Sequence, residues 1–151
     1  MPKIYLSPST QENNLYVTGG SEEYYMNLVA DALEPYLRAS GIRFTRNRPE
    51  MTAGQVIRES NAGNYNLHLA LHSNAAPIYG TLQGVDVYHF PGSINGTRAA
   101  EILADNFRVI YLDPALVDTR ATTALGEVDR VRAPAVLIEI AYHDNPEDAN
   151  W

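Results

Sequence analysis

The chain contains no cysteine, which excludes a disulfide framework, a thiolate nucleophile and a Cys-ligated zinc site while leaving the redox compartment open. No apolar run approaches the roughly 20 residues that cross a bilayer. The start, Met1-Pro2-Lys3-Ile4-Tyr5-Leu6, lacks the apolar stretch of a signal peptide. Positive charge is also scarce. Eleven Lys and Arg stand against 18 Asp and Glu, a net charge of −7 with a pI near 4.9, and this balance opposes the counterion release on which non-specific nucleic-acid binding depends. Neither nucleic acid nor a membrane is expected as a partner. What is present, 151 residues of which 45% are hydrophobic and 19% charged, is the composition of one compact domain with a single core. Any metal must sit on His, Asp, Glu or an amide oxygen.

Ile4 to Leu6 reads as a short strand ending at the breaker cluster Ser7-Pro8-Ser9-Thr10, followed by a polar loop to Gly19-Gly20. From Ser21, a candidate N-cap, Tyr25, Leu28, Val29, Ala32, Leu33, Tyr36 and Leu37 recur at helical spacing until Gly41, with Pro35 expected to bend the helix. Ile42 to Thr45 predicts a strand and Ala53 to Ser60 a short helix. Leu67 to His72 alternates, which puts three leucines on one face of a strand and His68, Ala70 and His72 on the other. A strand over Gly84 to Phe90, a helix over Thr97 to Ile110 and a near-continuous apolar strand over Ala135 to Ala141 complete the pattern. Strands alternating with helices predict an α/β domain, a twisted, mostly parallel sheet flanked by helices on both faces. Ligands bind such sheets beyond the carboxyl ends of the strands.

Polar residues gather where that rule places a site: Gln11 after the first strand, Glu23 in the first turn of the first helix, His72 at the end of its strand, and Glu139 with His143 at the end of the last. A His, a Glu and a further oxygen or nitrogen donor make a zinc shell with a position left for water. Each residue also has a plainer reading. Glu23 suits a helix N-terminus through the macrodipole alone, His72 suits a hydrogen-bonded edge histidine, His143 and Asp144 suit a turn, and His89 suits a surface or sheet face. His68 imitates the spacing of a co-ligand, but on a strand its Cα lies about 13 Å from that of His72, too far to share an ion. Glu139 is harder to explain away. A carboxylate within Val-Leu-Ile-Glu-Ile-Ala must be paired, protonated or at the open end of the sheet, because burying it unpaired costs several kcal/mol.

As a set, these segments resemble the zinc-dependent N-acetylmuramoyl-L-alanine amidases of the amidase-3 type, which cleave bacterial peptidoglycan. Glu23-Tyr24-Tyr25-Met26-Asn27-Leu28 resembles the helix that begins with a zinc-binding Glu. Leu67 to Ala75 resembles the strand ending in a zinc-binding His, a small residue, Asn and Ala. Gly84-Val85-Asp86-Val87-Tyr88 is similar to a Gly-Val-acidic-Val-Tyr strand, Pro134 to Ile140 to the strand carrying the catalytic Glu, and Asn145 to Ala149 to the loop after it. The order of the five segments matches over nearly the whole chain.

The resemblance implies a catalytic domain over residues 1–151 that hydrolyses the amide between N-acetylmuramic acid and L-alanine in peptidoglycan. It implies one zinc ion on Glu23 and His72, Glu139 as general base, and Asn74 and His143 as substrate-binding residues. One departure stands out. Where the family opens with Asp-Pro-Gly-His-Gly and its His ligand, this chain reads Ser7-Pro8-Ser9-Thr10-Gln11, so Gln11 is the expected third ligand, with His143, Thr10 or water as alternatives. A non-catalytic peptidoglycan-binding module is the other reading of that departure, and a hydrolase of another amide or peptide is a third. The chain ends at Trp151, where the resemblance places the start of a closing helix that it is expected to lack. The expected place of action is the bacterial cell wall, reached on lysis or by a route not encoded in this chain.

Overall fold

The computed structural model describes residues 1–151. Six strands form one sheet: β1 (Lys3–Pro8), β2 (Arg43–Arg46), β3 (Leu67–Asn74), β4 (Val85–His89), β5 (Val117–Ala121) and β6 (Ala135–Tyr142), in the order β2-β1-β3-β6-β4-β5. All neighbours run parallel except β4 and β6, which are antiparallel. The sheet is thus the mostly parallel one expected from the sequence. β5 was not anticipated, because only Val117 of its residues is buried and an exposed edge strand carries no hydrophobic alternation.

Alternation along the strands gives the sheet two unlike faces. Ile4 and Leu6 of β1, Leu69 and Leu71 of β3, Val85 and Val87 of β4, and Val136 and Ile138 of β6 share one apolar cluster. Two long helices cover it, α1 (Glu22–Ala39) and α3 (Ile94–Ile110), through Met26, Ala30, Leu37, Ala100 and Ala104. Ser21 caps α1 by accepting from the Tyr24 N–H, and Ser93 caps α3 by accepting from the Gly96 N–H. Pro35 lies inside α1, which continues to Ala39.

The opposite face carries Tyr5, His68, Ala70 and Leu137, and its cover is thinner. It consists of α2 (Ala53–Ala62), capped by a Thr52/Gln55 capping box, and the four-residue α4 (Gly126–Asp129). A last short helix, α5 (Pro146–Asn150), is tied to the sheet by one buried side chain. Asp148 Oδ2 accepts from the backbone N–H of Gly84 at 3.0 Å and of Tyr142 at 2.8 Å, while Oδ1 accepts from the Tyr111 hydroxyl. Gly84 is required where it stands: its φ is +125° and a Cβ would come within 2.3 Å of the Leu116 carbonyl oxygen.

Replacing Asp148 by Ala strands two backbone N–H groups and a tyrosine hydroxyl. We expect a loss of at least about 3 kcal/mol, given about 1–3 kcal/mol for each buried group left unsatisfied. Urea denaturation should show a lower midpoint with an unchanged slope, and an unchanged midpoint would mean that α5 is not anchored through this residue.

Candidate active site at the carboxyl end of the sheet

β3 delivers His72 to the carboxyl end of the sheet on the thinly covered face. Its ring is held at both nitrogens. Nδ1 lies 2.9 Å from Glu22 Oε1, and Nε2 lies 2.9 Å from Glu127 Oε2. Burial works against a charged imidazole, but hydrogen bonds to Glu127 and Glu22 outweigh it and hold the His72 pKa well above its ordinary value. The two carboxylates respond in the opposite sense. Burial would raise Glu22, yet hydrogen bonds from His72 and Asn14 bring it below its ordinary value; burial would raise Glu127 too, yet His68 and His72 hold it far below.

The acidic partner supplied by α1 is Glu22, not Glu23. Ser21 is the cap, so Glu22 is the first helical residue, packed under the Gln11 to Asn14 loop with its N–H on the Asn14 carbonyl at 2.8 Å. It is 1% exposed. Glu23 sits about 100° further round a helix of 3.6 residues per turn, half-buried, with its N–H 3.4 Å from the Gln11 carbonyl. The register of the first turn depends on which residue caps it, and the sequence offers two adjacent glutamates without distinguishing them.

Gln11 does reach the site. Its side-chain nitrogen lies 3.4 Å from His72 Nδ1, and its Oε1 accepts from Asn14 Nδ2 at 2.9 Å, the same amide that donates to Glu22 Oε2 at 2.7 Å. Thr10 and Gln11 border a cavity of about 390 Å³ that His72, Glu127, Asn47 and Ala53 also line. His143 is placed elsewhere. It is 6% exposed, with Nδ1 2.9 Å from the Ser73 hydroxyl and its ring against Tyr16, so it supports the packing below the loop and does not border this cavity. Asn74 ends β3, and its Oδ1 accepts from the Ala75 N–H. His89 meets the Thr97 hydroxyl at the start of α3, away from the site.

Glu139 is the register partner of His72 on β6, and Asp86 is its partner on the other side. Its Oε2 is buried without a hydrogen-bond partner. Burial pushes its pKa up to about 7; the His72 charge lowers it, and Glu22 and Asp86 add to the rise.

Two residues of the cluster were not singled out in the sequence, Glu22 and Glu127, and His68 was set aside there. His68, fully buried, places Nε2 2.9 Å from Glu127 Oε1 and Nδ1 2.9 Å from the Ser60 hydroxyl. Both of its ring nitrogens are thus taken by groups of the chain itself. No three His, Asp or Glu side chains converge into a ready metal cluster. The donors on the Nδ1 side of His72 nonetheless suit a divalent cation: an imidazole nitrogen whose opposite nitrogen is anchored on a carboxylate, beside a second carboxylate, with an amide as neighbour.

The family model for N-acetylmuramoyl-L-alanine amidase matches residues 9–151. The chain belongs to that amidase family. Among solved structures, it is similar to the N-acetylmuramoyl-L-alanine amidase AmiC2 of Nostoc punctiforme, at 15% identity and a TM-score of 0.82, over 99% of this chain and 84% of that one. The N-acetylmuramoyl-L-alanine amidase of Clostridium difficile 630 compares at 14% identity and 0.82, over 99% and 84%. The catalytic domain of the CD27L endolysin, which targets Clostridia difficile, compares at 20% identity and 0.79, over 99% and 87%. At these identities the likeness is one of fold. A search of curated proteins finds no match.

Two outcomes follow for the metal-free amidase domain. Glu22→Ala removes a buried partner of His72 and should cost about 3–5 kcal/mol, the range for breaking a buried pair, whereas Glu23→Ala should stay within about 0.5 kcal/mol, as surface changes do. Because the folded pKa of Glu22 is below its ordinary 4.5, its contribution is present above that value and fades as pH falls through the lowered one. Equal effects of the two substitutions in thermal melts would return the assignment to Glu23.

Glu139 has the opposite sign. Its folded pKa of about 7 exceeds the ordinary 4.5, so stability falls as pH rises between the two values. Glu139→Gln escapes that loss and should be more stable than the parent at pH 8, in the presence of chelator, by about 1–3 kcal/mol at about 1.4 kcal/mol per pKa unit. The difference should close towards pH 4.5. A pH-independent difference in urea midpoints would show that Glu139 does not titrate abnormally.

Proposed function

We propose that this chain hydrolyses the amide between N-acetylmuramic acid and L-alanine in peptidoglycan with Glu139 as general base, and that Glu22, His72 and the Gln11 side chain hold a zinc ion for the reaction. The observation that carries this reading is Glu139: a carboxylate beside His72, with a buried oxygen lacking any partner and a pKa of about 7. A binding module has no use for such a group, which costs stability at neutral pH. A general base near the operating pH does.

A zinc ion, when bound, polarises a carbonyl and lowers the pKa of water from about 15.7 towards about 7. The remaining work falls to the chain. The Glu139 carboxylate, whose Oε2 has no hydrogen-bond partner, takes a proton from the attacking water and passes it to the nitrogen of the leaving L-alanine. His72 and Glu22 fix the end of β3 against the start of α1, so the acceptor oxygen and the donor set hold one spacing. Gln11 is a weaker, neutral donor than the imidazole it replaces, which implies modest zinc affinity. We place the action at the bacterial cell wall.

The test is release of L-alanine-bearing peptide from purified peptidoglycan, with and without zinc after chelation. Glu139→Gln should lower turnover on the order of 10²–10⁴-fold while zinc content holds, since removing a general base costs that much. In the parent, the acid limb of kcat/KM should have its midpoint at or below about 7, because burial raises the group and a nearby cation lowers it. Undiminished turnover in the variant would remove Glu139 from the reaction.

A further inference from the structure

One carboxylate ties both histidines of β3. Glu127 Oε1 is met by His68 Nε2 at 2.9 Å and by the Ser7 hydroxyl, and Oε2 is met by His72 Nε2 at 2.9 Å. A carboxylate that receives three groups in this way has no proton of its own to give, so each Nε2 is a donor. His68 is then satisfied at both ends, with Nδ1 accepting from the Ser60 hydroxyl at 2.9 Å. For His72 the consequence reaches the other nitrogen. Nε2 keeps its proton whether the ring is neutral or charged, and Nδ1 is the only nitrogen that can change partner. Nδ1 faces Glu22 Oε1 at 2.9 Å and the Gln11 amide at 3.4 Å.

We propose that Glu127 is the positioning residue of the site: it holds the Nε2–H of His72 and so dedicates Nδ1 to the side of Glu22 and Gln11, with His68 and Ser7 as the struts that hold Glu127. Glu127 and Glu22 meet opposite nitrogens of the His72 ring, so Glu127 acts on Nδ1 through that ring. What Nδ1 is offered to rests on the zinc hydrolase reading. The clamp on Nε2 does not, because it is a property of the chain alone.

The two can be separated by experiment. In the metal-free parent, nitrogen-detected imidazole spectra should show protons on Nε2 of both His68 and His72, exchanging slowly with water. Glu127→Gln keeps the shape but offers one acceptor oxygen for two rings, so the His72 Nε2 proton should exchange about tenfold faster or more. Zinc affinity, measured by competition with a chromophoric chelator, should weaken about 10–100-fold, the usual effect of losing the group that orients a ligating histidine. A folded Glu127→Gln protein with parental exchange and parental zinc affinity would overturn the proposal. If that variant does not fold, Glu127→Asp, which keeps the charge but shortens the reach, carries both measurements with the same expected direction and the same overturning result. A parent that binds no zinc would defeat the hydrolase reading while leaving the exchange measurement to decide on Glu127.

Discussion

The structure depends on a buried carboxylate that is never left alone. Glu127 is drawn from a four-residue helix and joined to Ser7 of β1 and to His68 and His72 of β3, partners 120, 59 and 55 residues away in sequence. A buried charge without partners costs several kcal/mol, and one that is fully paired restores most of it. The pairing therefore works as a condition on assembly. It is met only when β1 and β3 lie side by side and the segment after β5 has closed over them. The same condition fixes the His72 ring, so the order of the sheet and the geometry of the site are one constraint.

The division of the sheet into two faces explains why such a cluster can exist in a small domain. The long helices α1 and α3 bury one face with apolar side chains. The other face can then carry polar groups at its carboxyl end, where His72, Glu139 and Asp86 stand side by side on β3, β6 and β4. Asp86 is held by Arg120 Nε at 2.6 Å and by the Tyr142 hydroxyl at 3.4 Å. The Tyr142 contact requires an irregularity. Between Glu139 and Tyr142, β6 has one residue more than β3 has between His72 and Asn74, and Ala141 takes a φ of +62°. A regular strand would turn Tyr142 to the opposite face. The bulge puts the tyrosine over Asp86, at the cost of a left-handed alanine.

These features differ in how far they could be read from the residues. The alternation of Leu67 to His72 was legible because a period of two is a local property, and so was Glu139, because a carboxylate in an apolar run is anomalous wherever the run sits. The choice between Glu22 and Glu23 was not, since it turns on a single hydrogen bond from Ser21 to the Tyr24 N–H. Glu127 left no local signal at all: Gly126–Asp129 is too short for periodicity, and its partners are distant in the chain. β5 and the antiparallel direction of β4 against β6 were hidden for a related reason, because edge strands and strand direction are set by tertiary closure and not by local pattern.

The departure at the start of the chain acquires a physical meaning in this setting. An imidazole at that place would bring a second ring nitrogen to the His72 side, whereas Gln11 brings an amide that can both donate and accept. Asn14 uses that capacity. Its amide nitrogen reaches Glu22 Oε2 and Gln11 Oε1 together, so the loop, the helix and the histidine are joined by hydrogen bonds of the chain itself. Metal sites whose ligands repel one another or lack partners depend on the ion to fold. Here the carboxylate, the imidazole and the Asn14 amide already hold one another, so any ligand that takes Nδ1 of His72 or Oε1 of Glu22 must displace a contact that stabilises the fold.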